Sequence, residues 1–151
     1  MNQSLSMYIT VLKKDFDNFC NSRLQDMGLS QGLMFFLIYI GNHPHCSPKE
    51  LSLAIKADTG HTTRSVEKLV QGGFVTRKVK ETDKRAFLLQ LTEKGIQTFT
   101  EIKSLFNQWD EIVSKDLSKE DKEILHKILS QIKKSSITCQ KKPCNLSIKS
   151  N

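Results

Sequence analysis

Two histidines and a cysteine lie together in the segment His43-Pro44-His45-Cys46, and their side chains suit metal ligation. Imidazole and thiolate groups are good ligands for zinc or copper, and the intervening proline restricts their relative directions. A fourth ligand would have to come from a distant helix, for example from His126. Because no fourth ligand is marked nearby, we interpret the segment as a polar connecting loop and predict neither a metal site nor a cofactor.

The four cysteines lack the dense spacing of a disulfide framework, so free thiols are expected. Cys20 lies near the end of the first apolar helical pattern and on its apolar face, which favours a buried, inert thiol. Cys139 and Cys144 lie near the C-terminus, where nothing in the sequence positions them for a cross-link. A redox switch at Cys20 is the alternative interpretation.

The sequence contains none of the short motifs that mark common enzyme classes. It has no phosphate-binding loop, no nucleophile elbow and no H-E-x-x-H helix, so an enzyme is not predicted. No window approaches the roughly 18 uncharged apolar residues that span a bilayer. The N-terminus mixes acidic and basic residues into its apolar pattern and does not read as a signal peptide. We therefore expect a cytoplasmic chain without a membrane partner.

A second set of polar residues lies on one face of residues 59–71 and is typical of DNA recognition. The N-terminal part of a recognition helix enters the major groove, where short side chains allow close approach. His61 and Thr63 can donate or accept at base edges, and Arg64 can form a bidentate pair with guanine or bind phosphate. Lys68, one turn later, is expected near the DNA backbone. The apolar pattern places Thr62 on the inward face of the same helix, yet it is also included among the candidate DNA contacts.

A basic segment follows this helix and adds a second candidate DNA contact. Between Arg77 and Arg85, five basic residues outnumber two acidic ones, which suits a contact beside the groove. Arg85 is the best candidate for insertion into the minor groove. Asp83 can hold the Arg85 guanidinium in a bidentate pair and so stabilise the tip. Arg77 and Lys84 complete the predicted contacts.

The elements that must position these residues follow from hydrophobic periodicity and capping signals. The segment Ser47-Pro48-Lys49-Glu50 is a full helix-start signal, and a three-residue connection joins that short helix to the next. Gly72-Gly73 ends the second helix, and two β-branched or aromatic runs then predict a hairpin wing. The predicted fold is mainly α with a small β-hairpin. The predicted helices cover about residues 3–25, 31–40, 48–56, 59–71, 93–113 and 119–135, and the wing covers residues 74–91.

The net charge of +7 is weaker support for nucleic-acid binding than this local order. Five lysines and no acids lie between Lys133 and Asn151, so most of the excess charge belongs to the tail. A lysine-rich tail is usually solvated. The combination of a capped helix, a short turn, a second helix and a basic hairpin therefore carries the prediction of double-stranded DNA as the partner.

This order resembles the MarR (multiple-antibiotic-resistance regulator) family: residues 47–95 contain the matching motifs, and the resemblance covers about residues 5–135. The segment Asp83-Lys84-Arg85 stands six residues before Leu91-Thr92-Glu93-Lys94-Gly95, as in the wing signature of that family. The resemblance implies that Thr63 and Arg64 occupy DNA-reading positions and that Asp83 and Arg85 form the wing pair. Gly60 and His61 match the family less well, so base preference stays open.

The resemblance also implies a homodimeric repressor on a palindromic operator. Residues 30–91 would form the winged helix-turn-helix DNA-binding domain, and residues 1–29 and 92–136 a helical dimerisation region. Residues 137–151 are expected to be a disordered basic tail. Apolar helix faces agree with a dimer, and they contain Ile9, Leu12, Phe16, Trp109, Ile124 and Ile128.

A small-molecule effector is a further implication of the resemblance. It places a ligand pocket near the aromatic residues Phe35, Phe36, Tyr39, His43 and Trp109, although a core position is the favoured interpretation for most of these side chains. Two alternatives stay open at this point. One is a metal- or redox-sensing regulator of the same fold that uses His43, His45 and Cys46, or Cys20. The other is a winged-helix module that contacts proteins without DNA.

Overall fold

The computed structural model describes residues 4–80 and 83–139, with side chains for residues 4–79 and 86–135. Within these residues the chain is mainly helical and contains one antiparallel hairpin, so the predicted fold class is confirmed. The elements in chain order are α1 (Leu5–Asp26), α2 (Gln31–Asn42), α3 (Pro48–Ile55), α4 (Thr59–Gln71), β1 (Val75–Lys80), β2 (Asp83–Leu91), α5 (Glu93–Val113) and α6 (Lys119–Cys139).

The contacts divide the chain into two compact units, one ending at Trp109 and the other beginning at Asp110. The first unit contains α1 to α4, the hairpin and most of α5. The second contains the end of α5 and α6, which starts at a Ser118 cap that accepts from the backbone N–H of Asp121 at 3.1 Å. In the described part of the chain, no helix has the length and apolar content that a membrane span requires.

Helix α2 forms the centre of the first unit, and its sequence is apolar on nearly all sides. It contacts α1, α3, α4 and β2. Its buried side chains are Met34, Phe36, Leu37 and Ile40, the last two with no exposed surface. Burial of aliphatic and aromatic surface on this scale is the main stabilising contribution to a small domain.

Side-chain caps fix the two helices of the helix-turn-helix. Ser47 and Glu50 form a complete capping box at the start of α3. Lys56 ends α3 in the left-handed conformation, with φ of 57°, and the Ser52 hydroxyl donates to the Ala57 carbonyl at 2.7 Å. Asp58 then caps α4 by accepting from the backbone N–H of His61 at 2.8 Å. The connection is therefore short and held by local hydrogen bonds, as predicted.

The hairpin lies within the predicted wing, but its second strand starts earlier than the β-branched and aromatic run at residues 86–91 indicates, because β2 begins at Asp83. Its register pairs Val75 with Leu91 and changes between Val79 and Lys80. The connector after α2 joins this sheet through a bridge between Cys46 and Leu89. The Leu89 backbone donates to the Cys46 carbonyl at 2.8 Å and accepts from His45 N–H at 2.9 Å. Residues 43–46, which contain the two histidines, thus connect α2 to the wing through backbone hydrogen bonds.

Candidate nucleic-acid interface

Helix α4 presents one polar face to solvent and buries the other. His61, Thr63, Arg64 and Lys68 are exposed, whereas Thr62 is only 1% exposed. The predicted DNA contact by Thr62 is therefore wrong, because its side chain faces the core with Val66 and Leu69, as the apolar periodicity indicates. The remaining four residues share the outward face.

Local contacts orient two of these exposed side chains. The His61 ring meets the buried Phe36 ring edge to face, with centroids 5.5 Å apart. The Thr63 hydroxyl donates to the Thr59 carbonyl at 2.8 Å. Because that bond uses the only hydroxyl proton, Thr63 can offer a base edge an acceptor oxygen and a methyl group, but not a donor.

The start of α4 carries a negative charge close to its basic residues. The backbone N–H of His61 lowers the pKa of the Asp58 carboxyl, and the charges of Arg64 and His61 lower it further. A Cβ added to Gly60 would lie 3.2 Å from the Asp58 carboxylate and 3.6 Å from the Arg64 guanidinium. Asp58 therefore occupies the N-terminus of α4 and places a negative charge there.

His61, Arg64 and Lys68 line one small groove with the start of α2. Its volume is about 120 Å³, and Ser30, Gly32 and Leu33 complete the lining together with Ser65. Ser30 occupies the N-cap position of α2, but its side chain makes no capping hydrogen bond. The first turn of α2 also contains no acidic residue. The groove thus combines a helix N-terminus with two basic side chains.

Arg77 binds within the protein, a role that the sequence did not indicate. Its guanidinium donates to the Glu67 carboxylate of α4 at 2.5 Å and lies 5.0 Å from the centre of the Phe87 ring on β2. Sequence reasoning missed Glu67, because the pair joins residues ten apart in different elements. Asp83, Lys84 and Arg85 lie at the start of β2, but their side chains are outside the described residues, so the wing pair stays a prediction.

A model of the MarR family matches residues 29–87, which extend from α2 into β2. The chain is 45% identical over 144 residues to the HTH-type transcriptional regulator BilQ of Clostridium symbiosum, and this match covers 94% of the chain and 100% of BilQ. The chain belongs to the MarR family.

Further comparisons agree with this assignment. A BilQ regulator of Clostridioides difficile is 36% identical over 131 residues, which cover 87% of this chain and 88% of the relative. The MarR family regulator from Listeria monocytogenes complexed with 26mer DNA has the same fold, with a TM-score of 0.79 at 21% identity and 89% coverage of both chains. The predicted family is confirmed, and this MarR-family protein is a transcriptional regulator with a winged-helix DNA-binding fold.

The predicted effector-pocket residues of this MarR-family protein make separate contacts. Tyr39 and His43 stack on each other with ring centroids 4.2 Å apart. Trp109 instead packs against Phe16 and Phe19, at 5.7 Å and 5.4 Å. Phe35 points outward and is 43% exposed.

A cavity of about 580 Å³ lies elsewhere in the winged domain, between α3, α4 and β2. Pro48, Leu53 and Phe87 give it apolar walls, and Thr62 and Thr63 also line it. Among the residues that the structure describes, none forms a hydrogen bond with the buried hydroxyl oxygen of Thr62. A buried hydroxyl without a partner is costly, so this oxygen marks a position that a polar ligand atom or a water molecule would stabilise.

The two cysteines with described side chains are buried free thiols. Burial, followed by the Glu50 charge, raises the pKa of Cys46 to about 11. Burial also raises the pKa of Cys20, and the Asp17 carboxylate adds to the effect. Among the side chains that the structure describes, in residues 4–79 and 86–135, no group of three His, Cys, Asp or Glu residues is arranged to hold a metal ion.

Proposed function

We propose that this MarR-family protein is a homodimeric repressor that binds a palindromic operator and is released by a small-molecule effector. The observation that carries the proposal is the exposed row of His61, Thr63, Arg64 and Lys68 on one face of α4. In a winged helix-turn-helix, this face enters the major groove. Arg64 reads guanine or binds a phosphate, and Thr63 offers its oxygen and methyl group to base edges.

A DNA phosphate fits the groove between α2 and α4. The uncapped N-terminus of α2 favours an anion, because its first backbone N–H groups lack a side-chain acceptor from Ser30. Arg64 and Lys68 border the same groove and supply positive charge. A phosphate bound here would fix the register of α4 in the major groove, which is the usual role of backbone contacts.

The wing supplies the second DNA contact in this proposal. Lys84 and Arg85 lie in the wing that projects next to α4, and Arg85 enters the minor groove while Asp83 orients its guanidinium. These three side chains lie outside the described residues, so the support comes from the sequence and the hairpin backbone.

Dimerisation is supported by apolar side chains on helices outside the winged domain, within residues 1–29 and 92–136. On α1, four such residues are each at least 51% exposed, namely Leu5, Tyr8, Ile9 and Leu12. On α6, four more are each at least 42% exposed, namely Ile124, Leu125, Ile128 and Leu129. Soluble monomers rarely expose contiguous apolar patches of this kind, and a second copy of the chain is the partner we propose.

An effector would act most directly in the cavity between α3, α4 and β2. The unpartnered Thr62 hydroxyl favours a small molecule with a polar group and an apolar body. A ligand there would lie against Thr63 on α4 and Phe87 on the wing, and so would compete with the DNA-bound arrangement. The aromatic residues Phe35, Tyr39, His43 and Trp109 remain a second proposed effector region.

Selection of duplexes from a random pool, followed by salt titration of the bound duplex, tests the DNA proposal. We expect the selected sequence to be palindromic and its affinity to fall steeply with salt, because bound phosphates release counterions. Arg64→Ala should cost about 1–3 kcal/mol on the selected duplex. Arg23→Ala on α1 is the matched control. Salt-independent behaviour, or equal effects of both variants, would favour the protein-interaction module instead.

A further inference from the structure

The start of α5 packs against the turn that follows α4, and it forms hydrogen bonds with the three consecutive backbone carbonyls of residues 72–74. The Lys94 ammonium donates to the Gly72 carbonyl at 2.8 Å, and the Thr92 hydroxyl donates to the Gly73 carbonyl at 2.6 Å. The Thr92 backbone N–H donates to the Phe74 carbonyl at 3.0 Å. Each carbonyl of the turn that follows α4 therefore binds a group from the start of α5.

Close packing reinforces these bonds. The Lys94 ammonium lies 4.2 Å from the centre of the buried Phe74 ring. Gly95 lies so close to the turn that an added Cβ would be 2.0 Å from the Phe74 carbonyl oxygen. Only glycine allows the first turn of α5 to approach the backbone in this way.

The turn itself is fixed from the α4 side. Gly73 has φ of +76°, the left-handed conformation that ends helices. Its N–H donates to the Val70 carbonyl at 3.0 Å, and Phe74 N–H donates to the Leu69 carbonyl at 2.9 Å. The backbone between the two helices is thus hydrogen-bonded to both of them.

We propose that Thr92, Lys94 and Gly95 act as a latch that fixes the direction of α4 relative to α5 and thereby sets the half-site spacing of the operator. This inference rests on the proposed function, in which α5 belongs to the dimerisation region and α4 reads DNA. The two recognition helices of a dimer can enter successive major grooves only if each has a fixed direction relative to the dimer helices.

The half-site spacing is sensitive to the latch because α4 acts as a lever. Helix α4 has 13 residues. It is therefore about 20 Å long at about 1.5 Å per residue. A tilt of about 10° at the latch displaces its N-terminal end by about 3 Å, close to the rise of about 3.4 Å per base pair. A protein with a loosened latch should therefore bind operators whose half-site spacing differs by one base pair with nearly equal affinity.

Two substitutions separate the latch from ordinary helix stability. Lys94→Met keeps an exposed apolar stem but removes the ammonium donor. Thr92→Asp keeps an acceptor for the Gly95 N–H, which Thr92 now caps at 3.0 Å, but cannot donate to Gly73. Lys103→Met is the matched control, since Lys103 lies on α5 at 5.1 Å from the Phe99 ring. Lys94→Arg keeps a cationic donor at this position and should retain the wild-type preference for one half-site spacing.

The readout is affinity for the selected palindromic duplex and for copies with the two half-sites moved apart or together in single-base-pair steps. We expect the wild type and Lys103→Met to show a sharp optimum. In Lys94→Met and Thr92→Asp, the ratio of the affinity for the original duplex to the affinity for a shifted duplex should fall several-fold. Thermal unfolding of each variant, measured alongside, shows that it is folded at the assay temperature. If the variants bind all duplexes more weakly by the same factor and keep an equally sharp spacing optimum, the latch proposal is wrong but the proposed function is not. A wild type that selects no palindrome would overturn the proposed function and the latch with it.

Discussion

The guanidinium of Arg77 and the carboxylate of Glu67 meet at 2.5 Å and join the first wing strand to the recognition helix. The second carboxylate oxygen of Glu67 accepts from the Gln71 amide at 3.5 Å, and Arg77 also lies over the Phe87 ring. Arg77 thus contacts α4 and β2 from its position on β1. Because both charged side chains are partly exposed, the pair contributes little to stability, and its effect is mainly on wing geometry.

The first prediction concerns this pair. Arg77→Met and Glu67→Gln should each weaken binding to the selected duplex, and the double variant should be no weaker than the worse single variant, since both remove the same contact. The free energy of unfolding should change by only about 0.2–1 kcal/mol. Lys103→Met, which removes an exposed charge on α5 outside the winged domain, is the control and should leave duplex binding unchanged. If Arg77 instead binds a phosphate directly, Arg77→Met will lower the salt slope by about one and Glu67→Gln will not weaken binding.

The capping contact of Ser47 could be predicted from the sequence, whereas the ion pair of Arg77 could not. The Ser47–Glu50 capping box, the Asp58 cap and the glycine turn after α4 are local signals, and the structure contains each of them. The Arg77 pair depends on how β1 docks on α4, which periodicity does not encode. Thr62 was predicted both inward and at the DNA, and only the inward placement agrees with its burial.

The second prediction is that Gly95→Ala destabilises the protein. Its Cβ would lie 2.0 Å from a backbone oxygen, and backbone cannot move aside as a flexible side chain can. We expect a loss of about 1–3 kcal/mol or more in urea unfolding. Gly32→Ala in α2 is the control, because no atom of another described part of the chain lies within 4 Å of its added Cβ. The free energy of unfolding of that variant should stay within about 0.5 kcal/mol of the wild-type value, and equal losses in both variants would contradict the close approach.

The third prediction is a pH dependence from the Asp58 cap. The pKa of Asp58 is lowered from 3.8 in the folded protein, mainly by the His61 backbone N–H. The stability it contributes is therefore present above the unfolded-state pKa and is lost as the pH falls through the folded-state pKa. Asp58→Ala should be less stable than the wild type at pH near neutral, and the difference should shrink in acid. Asp58→Asn has a neutral cap, so its free energy of unfolding should change less over this pH range than that of the wild type.

The fourth prediction tests the redox alternative through Cys20 and Cys46. Both thiols are buried, and a pKa of about 11 for Cys46 leaves very little thiolate near neutral pH. In a variant with Cys139→Ser and Cys144→Ser, a disulfide reagent should modify neither remaining thiol until the protein is unfolded. Rapid modification of Cys20 in the folded protein, with loss of duplex binding, would instead support a redox-sensing regulator.

The fifth prediction concerns the unpartnered hydroxyl of Thr62. Valine has nearly the same shape, so Thr62→Val removes a buried polar oxygen without leaving a cavity, and the free energy of unfolding should rise by about 1 kcal/mol. Thr98→Val is the matched control, because Thr98 is also buried but its hydroxyl donates to the Lys94 carbonyl at 2.9 Å. That variant should lose stability. If Thr62→Val is destabilising by a similar amount, the Thr62 hydroxyl already has a bound partner in solution, and the cavity holds ordered water.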